Sequence, residues 1–266
     1  GANLINLRVL DREGNGTDSQ VIAAIERAIE LKKLYNIRVI NLSLGRPVYE
    51  SYKLDPLCRA VEAAWNAGIV VVVAAGNSGR DNSMGTMGYL TITSPANDPY
   101  VITVGAMKDG ATVSRADDAM TSYSSKGPTL IDRVVKPDLV APGNHIISAA
   151  SRNTTLHTRY PKNQVSKNYY VTSNTTTTSG DYFRLSGTSM AAPMVSGAAA
   201  LLLQKNSKLT PDQVKAILMQ TASKAFPASS HAIDPQTGTV YTIQNDVFTV
   251  GAGYLDIAAA ISTSTI

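Results

Sequence analysis

The chain has 266 residues, 44% of them hydrophobic, which suits one large domain with a sizeable core over residues 1–266. Its 24 basic and 20 acidic residues give a net charge of +4 without forming a basic run, so nucleic acid is not an expected partner. The longest apolar stretch, 68–76, is too short to cross a bilayer and the N-terminus lacks a signal-peptide pattern, so no membrane partner is expected.

In chain order, the apolar patterns predict strands that alternate with helices. Residues 2–10 are typical of a strand, and residues 19–35 of a helix with Asp18 as its cap. The other predicted strands are 37–45, 69–77, 100–107 and 138–143, and the other predicted helices are 54–68 and 211–224. Because the runs of Val and Ile are nearly continuous, we expect strands buried on both faces. The predicted fold class is α/β, with a mostly parallel sheet and helices on both faces.

Two polar excursions interrupt this alternation. Residues 151–184 are rich in Thr, Asn and Ser and are expected to form a surface hairpin, and residues 226–250 form another around "DPQTG". Between them, Thr210 and Gln213 have the spacing of a helix capping box. The single cysteine, Cys58, lies at a core position of its predicted helix, so redox chemistry is not expected.

Ser189 stands in "SGTSMAAP", directly before a strongly apolar stretch. A serine in this position is commonly a helix cap, because its hydroxyl can accept a free N–H of the first turn. A nucleophile would need a helix N-terminus, small neighbours and a base, and Gly187, Ala191 and Ala192 provide the space. The G-x-S-x-G pattern of α/β-hydrolases is not matched, because Ala191 stands in place of the last glycine. A lipase or esterase is therefore not expected.

The segment "GTSMAAPMVSGAAALL" closely resembles the nucleophile block of subtilisin-like serine proteases, the subtilase or peptidase S8 family. Three other blocks resemble the same family in the same order: "INLSLG" at 40–45, "VVVVAAGN" at 70–77 and "KPDLVAPG" at 136–143. The resemblance implies a three-layer subtilisin-like fold, here lacking its N-terminal part. It also implies a serine endopeptidase that works through an acyl-enzyme.

Carried over to this sequence, the resemblance makes Ser189 the nucleophile and its backbone N–H one oxyanion donor. Asn77 becomes the second, side-chain donor, although "NSG" at 77–79 taken alone indicates a turn. Further residues would bind substrate by strand addition or form its first pocket, and burial of a strand end explains most of them equally well. The implied substrate-binding residues are Ser43, Leu44, Gly45, Ala74, Ala75, Gly76 and Thr93.

The triad of this family runs Asp, His, Ser along the chain, and the expected Asp and His blocks are not found. The three histidines, His145, His157 and His231, lie outside any suitable block, and Asp138 is expected to have a structural role in its loop. We therefore expect the triad Asp and His to lie on a missing N-terminal segment, so that this chain alone is inactive. The alternative is a naturally incomplete protease-like domain that binds extended peptides without cleaving them.

No cofactor is expected for catalysis, and no metal ligand is assigned. A dinucleotide site after the first strand would need a third glycine where Ser19 stands. Structural calcium, which many relatives bind, has no clear motif here: Asp98 beside Asn97, and Asp117 beside Asp118, offer oxygen ligands that surface turns also use. The expected partners are a peptide or protein substrate and the missing N-terminal segment. The family implies a secreted or extracellular enzyme.

Overall fold

A computed structural model describes residues 1–172, 176–234 and 237–263, apart from the side chain of Ser179. The helices are α1 (Asp18–Tyr35), α2 (Pro56–Asn66), α3 (Thr155–Arg159), α4 (Thr188–Lys205), α5 (Pro211–Thr221), α6 (Val247–Val250) and α7 (Ile257–Ser262). The strands are β1 (Val39–Leu42), β2 (Val70–Ala74), β3 (Ile102–Lys108), β4 (Ala119–Met120), β5 (Leu139–Pro142), β6 (Ile146–Ala149), β7 (Gln164–Ser166), β8 (Thr178–Leu185), β9 (Ser229–Ile233) and β10 (Val240–Gln244).

Four parallel strands form most of the central sheet that the runs of Val and Ile predict, and the short strand β4 adds to β3 in the antiparallel direction. Strand β2 lies between β1 and β3, and β5 pairs with the opposite side of β3. All five residues of β2 are buried although successive side chains point to opposite faces of the sheet. The sheet is therefore covered on both faces, which confirms the predicted α/β class.

Helix α4 packs across β1, β2, β3 and β5. Small residues on its buried side, Ala191, Ala192 and Ala198 among them, let the helix lie close to the strands. Its N-terminus lies beside the carboxyl ends of β1 and β2, because Ser43 and Asn77, which follow those strands, both contact its first turn. Polar loops after parallel strands and a helix N-terminus therefore meet at one place, as ligand sites in such sheets require.

The predicted strand at 2–10 is absent. Leu4 is 94% exposed and Val9 packs only partly against the core. A strand needs a hydrogen-bonding neighbour, and none of the described strands pairs with this segment. Among the described strands, β1 pairs only with β2, so the other edge of β1 has no hydrogen-bonded neighbour.

Helix α1 begins one residue earlier than predicted, with Thr17 rather than Asp18 as its cap. The Thr17 hydroxyl accepts the Gln20 N–H, and the Gln20 side chain accepts the Thr17 N–H, which completes a capping box. Asp18 instead accepts a hydrogen bond of 2.7 Å from Arg46. The predicted capping box of α5, between Thr210 and Gln213, is confirmed.

The first polar excursion is more than the predicted hairpin. Strands β6, β8 and β7 form a three-stranded antiparallel sheet in that order, and the short helix α3 lies between β6 and β7 in the chain. The second excursion contains the expected hairpin, in which β9 pairs with β10 and Ile233 faces Val240. Pro235 and Gln236 of its predicted "DPQTG" turn lie outside the described residues.

Candidate active site

Ser189 is the second residue of α4 and not its cap. The N-cap is Gly187, and no side chain caps the helix. Ser189 is half-buried, and its backbone N–H finds no acceptor among the described residues. The first turn of an α-helix leaves such N–H groups free and carries a partial positive charge. The cap interpretation of Ser189 is therefore wrong, and the position suits a group that develops negative charge nearby.

Gly143, the last residue of "KPDLVAPG", holds the loop before Ser189 in place. Its carbonyl accepts the Gly187 N–H at 2.8 Å and the Tyr123 hydroxyl at 2.9 Å. Burial raises the pKa of Tyr123 to about 12, so this phenol stays a donor. A Cβ on Gly143 would lie 2.9 Å from the Gly187 carbonyl oxygen, so the close approach requires glycine.

Asn77 follows β2 and reaches the start of α4. Its Oδ1 accepts the Thr188 N–H at 2.9 Å and the Thr188 hydroxyl at 3.2 Å. The two Thr188 donors decide the orientation of the Asn77 amide. If Nδ2 stood where Oδ1 stands, two donors would point at a third donor and no hydrogen bond could form. The Asn77 Nδ2 has no acceptor among the described residues and lies on the same side of Gly187 as the Ser189 N–H. Two unpaired N–H donors thus flank the entrance of α4.

A small pocket of about 160 Å³ joins these groups to the ends of the strands. It brings together seven of the nine predicted site residues and adds Thr188. Its lining residues are Leu44, Gly45, Ala74, Gly76, Asn77, Thr93, Thr188 and Ser189. Ser43 and Ala75 are the two predicted residues that do not line it.

Thr93 lies behind two glycines of the pocket wall. A Cβ on Gly45 would lie 2.5 Å from the Thr93 hydroxyl oxygen, and one on Gly76 would lie 2.9 Å from its Cγ2. The Thr93 N–H donates to the Ala75 carbonyl at 3.1 Å, and Ala75 is fully buried and does not line the pocket. Side chains at Gly45 or Gly76 would therefore collide with Thr93 and fill the pocket.

The segment after β1 leaves its ladder before the end of the predicted strand 37–45. Strand β1 ends at Leu42, and the backbone N–H groups of Leu44 and Gly45 have no acceptor in the described part of the chain. The Ser43 carbonyl accepts the Ser189 hydroxyl at 3.3 Å. This short extended segment is therefore open to main-chain pairing with another peptide.

Thr188 and Ser125 are site residues that the sequence analysis missed. The Thr188 hydroxyl accepts the Gly76 N–H at 3.2 Å while it donates to Asn77, so it links the two sides of the pocket. Ser125 accepts the Ser78 N–H at 3.1 Å and steadies the turn after Asn77. Thr188 stands inside the nucleophile block, so the sequence offered a signal for it. Nothing in the sequence near Ser125 indicates that it would contact Ser78.

The three histidines make contacts elsewhere. His157 is buried, and its ring nitrogens contact the Thr154 hydroxyl at 2.8 Å and the Gly180 carbonyl at 3.0 Å. His231 contacts Thr242 across the hairpin of β9 and β10. The backbone N–H of His145 donates to Ser186, and no described contact joins its ring to Ser189.

Asp138 lies in a buried cluster of charges and does not line the pocket. It contacts Lys136 at 2.7 Å and Lys215 at 3.0 Å, and it accepts the Thr103 N–H at 2.7 Å. Burial acts to raise the pKa of Asp138, but the two lysines outweigh it and hold the pKa below its usual value. Cys58 is also fully buried, and burial raises the pKa of its thiol far above the usual range.

Among the described residues, no group of three or more His, Cys, Asp or Glu side chains could hold one metal ion. Asn97 and Asp98 lie in a turn, but this turn is buried and not on the surface. Structural calcium, for which the sequence has no clear motif, is thus given no ligands here. No described helix combines the length and apolar character needed to cross a membrane.

Several known proteins align with this chain over most of its length. Serine protease AprX of Bacillus subtilis (strain 168) is 42% identical over 232 residues, which cover 84% of this chain and 47% of AprX. Subtilisin DY of Bacillus licheniformis is 35% identical over 83% of this chain and 61% of its own. The extracellular serine proteinase of Thermus sp. (strain Rt41A) is 37% identical over 84% of this chain and 41% of its own. The chain thus spans about half the length of such relatives.

Solved structures of subtilisin-like proteinases have a similar fold. A cold adapted subtilisin-like serine proteinase superposes with a TM-score of 0.55 at 30% identity, over 88% of this chain and 63% of that one. A protease of Pseudoalteromonas arctica PAMC 21717 gives a TM-score of 0.64 at 25% identity, over 96% and 61%. The model of the subtilase family, Peptidase_S8, matches residues 1–251. The chain therefore belongs to the subtilase family of peptidases.

Proposed function

We propose that this chain carries the nucleophile, the oxyanion hole and the first specificity pocket of a serine endopeptidase that cleaves peptides or proteins. Its family and the serine protease relatives support this reaction class. The supporting observation is that Asn77 Oδ1 accepts both donors of Thr188, which leaves Nδ2 without an acceptor among the described residues. This Nδ2 and the Ser189 N–H both lie within 4 Å of the position that a Cβ on Gly187 would take, and acyl transfer needs two such donors near the serine hydroxyl.

In the proposed reaction, the Ser189 hydroxyl oxygen adds to the carbonyl carbon of the substrate while a histidine base takes its proton. The oxyanion accepts hydrogen bonds from the Asn77 Nδ2 and the Ser189 N–H. Collapse of this intermediate breaks the C–N bond, and the histidine returns the proton to the leaving amine. Water then attacks the ester by the same steps and releases the acid and free Ser189.

The base and its aspartate are proposed to come from an upstream segment. Ser189 donates to the Ser43 carbonyl, and the rings of His145, His157 and His231 make no described contact with it. The unpaired edge of β1 and the apolar, unpaired segment 2–10 favour the same idea. A strand added at the edge of β1 would supply its missing hydrogen bonds and would bring new side chains to the sheet end where Ser189 lies.

The test compares the 266-residue chain with the same chain completed by the upstream segment, either covalently or as a separate fragment. We expect the chain alone to hydrolyse peptides barely above background and to resist an organophosphonate at Ser189, as measured by mass spectrometry. Completion should restore hydrolysis and labelling, and Ser189→Ala should abolish both.

Two results would contradict the proposal in different ways. If the 266-residue chain is fully active and loses that activity when His145, His157 or His231 is replaced, the upstream base is wrong. If the completed protein binds peptides but neither labels nor cleaves, the peptide-binding alternative is correct and the protease function is wrong.

The location of the complete protein is a separate proposal, supported by the name of a relative. One relative, 37% identical, is named an extracellular serine proteinase. We therefore propose that the complete protein is secreted, and fractionation of a producing culture, with the protein detected in the medium by antibody, tests this.

A further inference from the structure

The small antiparallel sheet of the first polar excursion has one face open to solvent. Opposite residues of β6 and β8 share a face, and successive residues alternate between the two faces. Phe183 is buried on the inner face, where its ring contacts His157 at a centroid distance of 5.0 Å. On the outer face Ile147 lies opposite Arg184, and Tyr182 precedes Arg184 by two positions. Ile147 and Tyr182 are both exposed, so the outer face is accessible to other molecules.

Two further tyrosines extend this outer face. Strand β7 leads into a 3₁₀ turn, Lys167–Tyr169, and Tyr169 is 70% exposed. The Cζ atom of Arg184 lies 5.1 to 5.8 Å class distance from no other ring than that of Tyr169, whose centroid is 5.8 Å away, within the range of a cation–π contact. The ring centroids of Tyr170 and Tyr182 lie 4.8 Å apart, with the ring planes tilted by 58°. The tyrosine face consists of Ile147, Tyr169, Tyr170, Tyr182 and Arg184.

The excursion also carries the net positive charge of the chain. Of the 24 basic and 20 acidic residues, residues 151–184 contain five and one, which leaves 19 of each in the rest of the chain. The one acid of the excursion, Asp181, contacts Arg152 at 2.6 Å. Within the part of the chain that the structure describes, Lys167 and Arg184 have no carboxylate partner. The tyrosine face is therefore positively charged.

Tyrosine and arginine exposed together are typical of protein interfaces, where these two residue types supply much of the binding energy. The Arg184 guanidinium can donate to a carboxylate, while Ile147 and Tyr169 beside it offer apolar surface. An acidic side chain bound to Arg184 would thus bring its neighbours against apolar groups. The tilt between Tyr170 and Tyr182 disfavours a row of stacked bases or sugar rings, because such a row needs ring faces in similar orientations.

We propose that the tyrosine face is a docking surface for an acidic segment of a protein partner, in which Asp or Glu residues lie next to large apolar residues. Carboxylates of this segment bind Arg184 and Lys167, and its apolar side chains pack against Ile147 and Tyr169. None of these residues lines the specificity pocket. The docking uses neither that pocket nor the Ser189 hydroxyl, so it is independent of the proposed function.

Fluorescence anisotropy with labelled peptides tests the docking. The protein is the 266-residue chain with Ser189→Ala, which excludes cleavage of the probe. The first peptide combines Asp and Glu with Leu and Phe, the second has Lys at each acidic position, and the third has Ser at each apolar position. We expect saturable binding of the first peptide, at least about tenfold tighter than that of the others. No saturation below about 1 mM, or equal affinity for the first peptide and either of the others, would overturn the proposal.

A first pair of variants tests the aromatic part of the face. Tyr169→Ser should weaken binding of the first peptide about tenfold. Its matched control is Tyr49→Ser, because Tyr49 is 72% exposed and also lies beside an arginine, with the Cζ atom of Arg46 5.1 Å from its ring centroid. The control should leave the affinity unchanged. Equal losses in the two variants would show that the tyrosine face is not the binding site.

A second pair tests the charge. Arg184→Glu should weaken binding of the first peptide at least about tenfold and strengthen that of the Lys peptide. Arg59→Glu on α2 makes the same change in net charge on an exposed side chain and should have little effect. Circular dichroism shows whether each variant is folded. Because Tyr169 is exposed, Tyr169→Ser decides the question if Arg184→Glu does not fold.

Competition with other anions separates an acidic-peptide site from a general polyanion site. The competitors are a single-stranded oligo-dT and an oligogalacturonate, each with the same number of charges as the first peptide. We expect both to bind more weakly than the peptide and to be insensitive to Tyr169→Ser. If either binds more tightly than the peptide and loses affinity in Tyr169→Ser, the face recognises that polymer and the proposed protein partner is wrong.

Discussion

The Ser43 hydroxyl donates a hydrogen bond of 2.8 Å to the main-chain carbonyl of Ser189. In a regular helix this carbonyl would accept the N–H of the residue four positions later, but that residue is Pro193, which has no N–H. The side chain of Ser43 therefore replaces a missing helical hydrogen bond at the proposed nucleophile. The contact joins the end of β1 to the first turn of α4.

The first prediction concerns this contact. Ser43→Ala should lower the free energy of unfolding by about 1 kcal/mol, because the Ser189 carbonyl loses its donor. In a Pro193→Ala background the same substitution should cost less, since residue 193 then supplies an N–H. Urea unfolding of the four proteins of this double-mutant cycle measures the coupling. Equal losses in both backgrounds would show that the hydroxyl does not substitute for the helical bond.

The second prediction concerns the proposed oxyanion donor, Asn77. In the completed enzyme, Asn77→Ala should lower turnover about a hundred- to a thousandfold with little change in substrate affinity, as loss of one such donor does in subtilisin. Asn77→Asp keeps an oxygen for Thr188 but removes the donor, so it should be at least as slow. Steady-state hydrolysis of a peptide measures both variants. Normal turnover of Asn77→Asp would mean that the residue only shapes the turn.

The third prediction concerns specificity at the first pocket. Its lining contains no carboxylate, so arginine or lysine before the cleaved bond would lose water without gaining a countercharge. We expect the completed enzyme to prefer apolar or medium-sized residues there. Sequencing of products from a peptide library measures this preference, and cleavage chiefly after Arg or Lys would refute the pocket assignment.

The fourth prediction concerns pH. Asp98 is fully buried, its Oδ1 accepts the Tyr100 N–H, and its Oδ2 has no partner among the described residues. Burial raises the pKa of Asp98 to about 7; Glu62 adds to this effect, while the Tyr100 N–H and Lys136 oppose it. A raised carboxyl pKa means that the folded state holds its proton longer than the unfolded state. Stability from this group is therefore present below about pH 4 and is lost as the pH rises toward 7.

Asp98→Asn should accordingly stabilise the protein at pH 8 by about 2 to 4 kcal/mol and make little difference at pH 4. Urea unfolding at both pH values is the measurement. Asp81→Asn is the control, because Asp81 is exposed and backbone hydrogen bonding lowers its pKa, which is the opposite direction. Equal effects of the two substitutions at pH 8 would show that the charge of Asp98 does not destabilise the folded protein.

The sequence predicted best what depends on local pattern. The Val run of β2 indicated a strand buried on both faces because burial of that kind needs apolar side chains at every position. The spacing of Thr210 and Gln213 likewise predicted a capping box, since both of its hydrogen bonds are local. At the site, the same local blocks brought Leu44, Asn77 and Ser189 to one pocket.

What the sequence did not predict depends on partners distant in the chain. Residues 2–10 have the side chains of a strand, but a strand forms only where a neighbour supplies hydrogen bonds. The cap of α1 is an exception, because Thr17 and Gln20 have the same local spacing as Thr210 and Gln213, while Asp18, which was expected to be the cap, engages Arg46. The role of Thr188 between Gly76 and Asn77 is also invisible from spacing, because it follows from how α4 meets β2.

The uncovered edge of β1 has a consequence for the solubility of the chain. Natural edge strands are protected against pairing with other molecules by lysines, prolines, bulges or covering segments. Val39–Leu42 contains neither lysine nor proline, and no described segment pairs with its outer edge. Two copies of the chain can thus satisfy each other's free backbone groups, with β1 against β1. Self-association that grows with concentration is the physical liability of this sheet until another strand covers it.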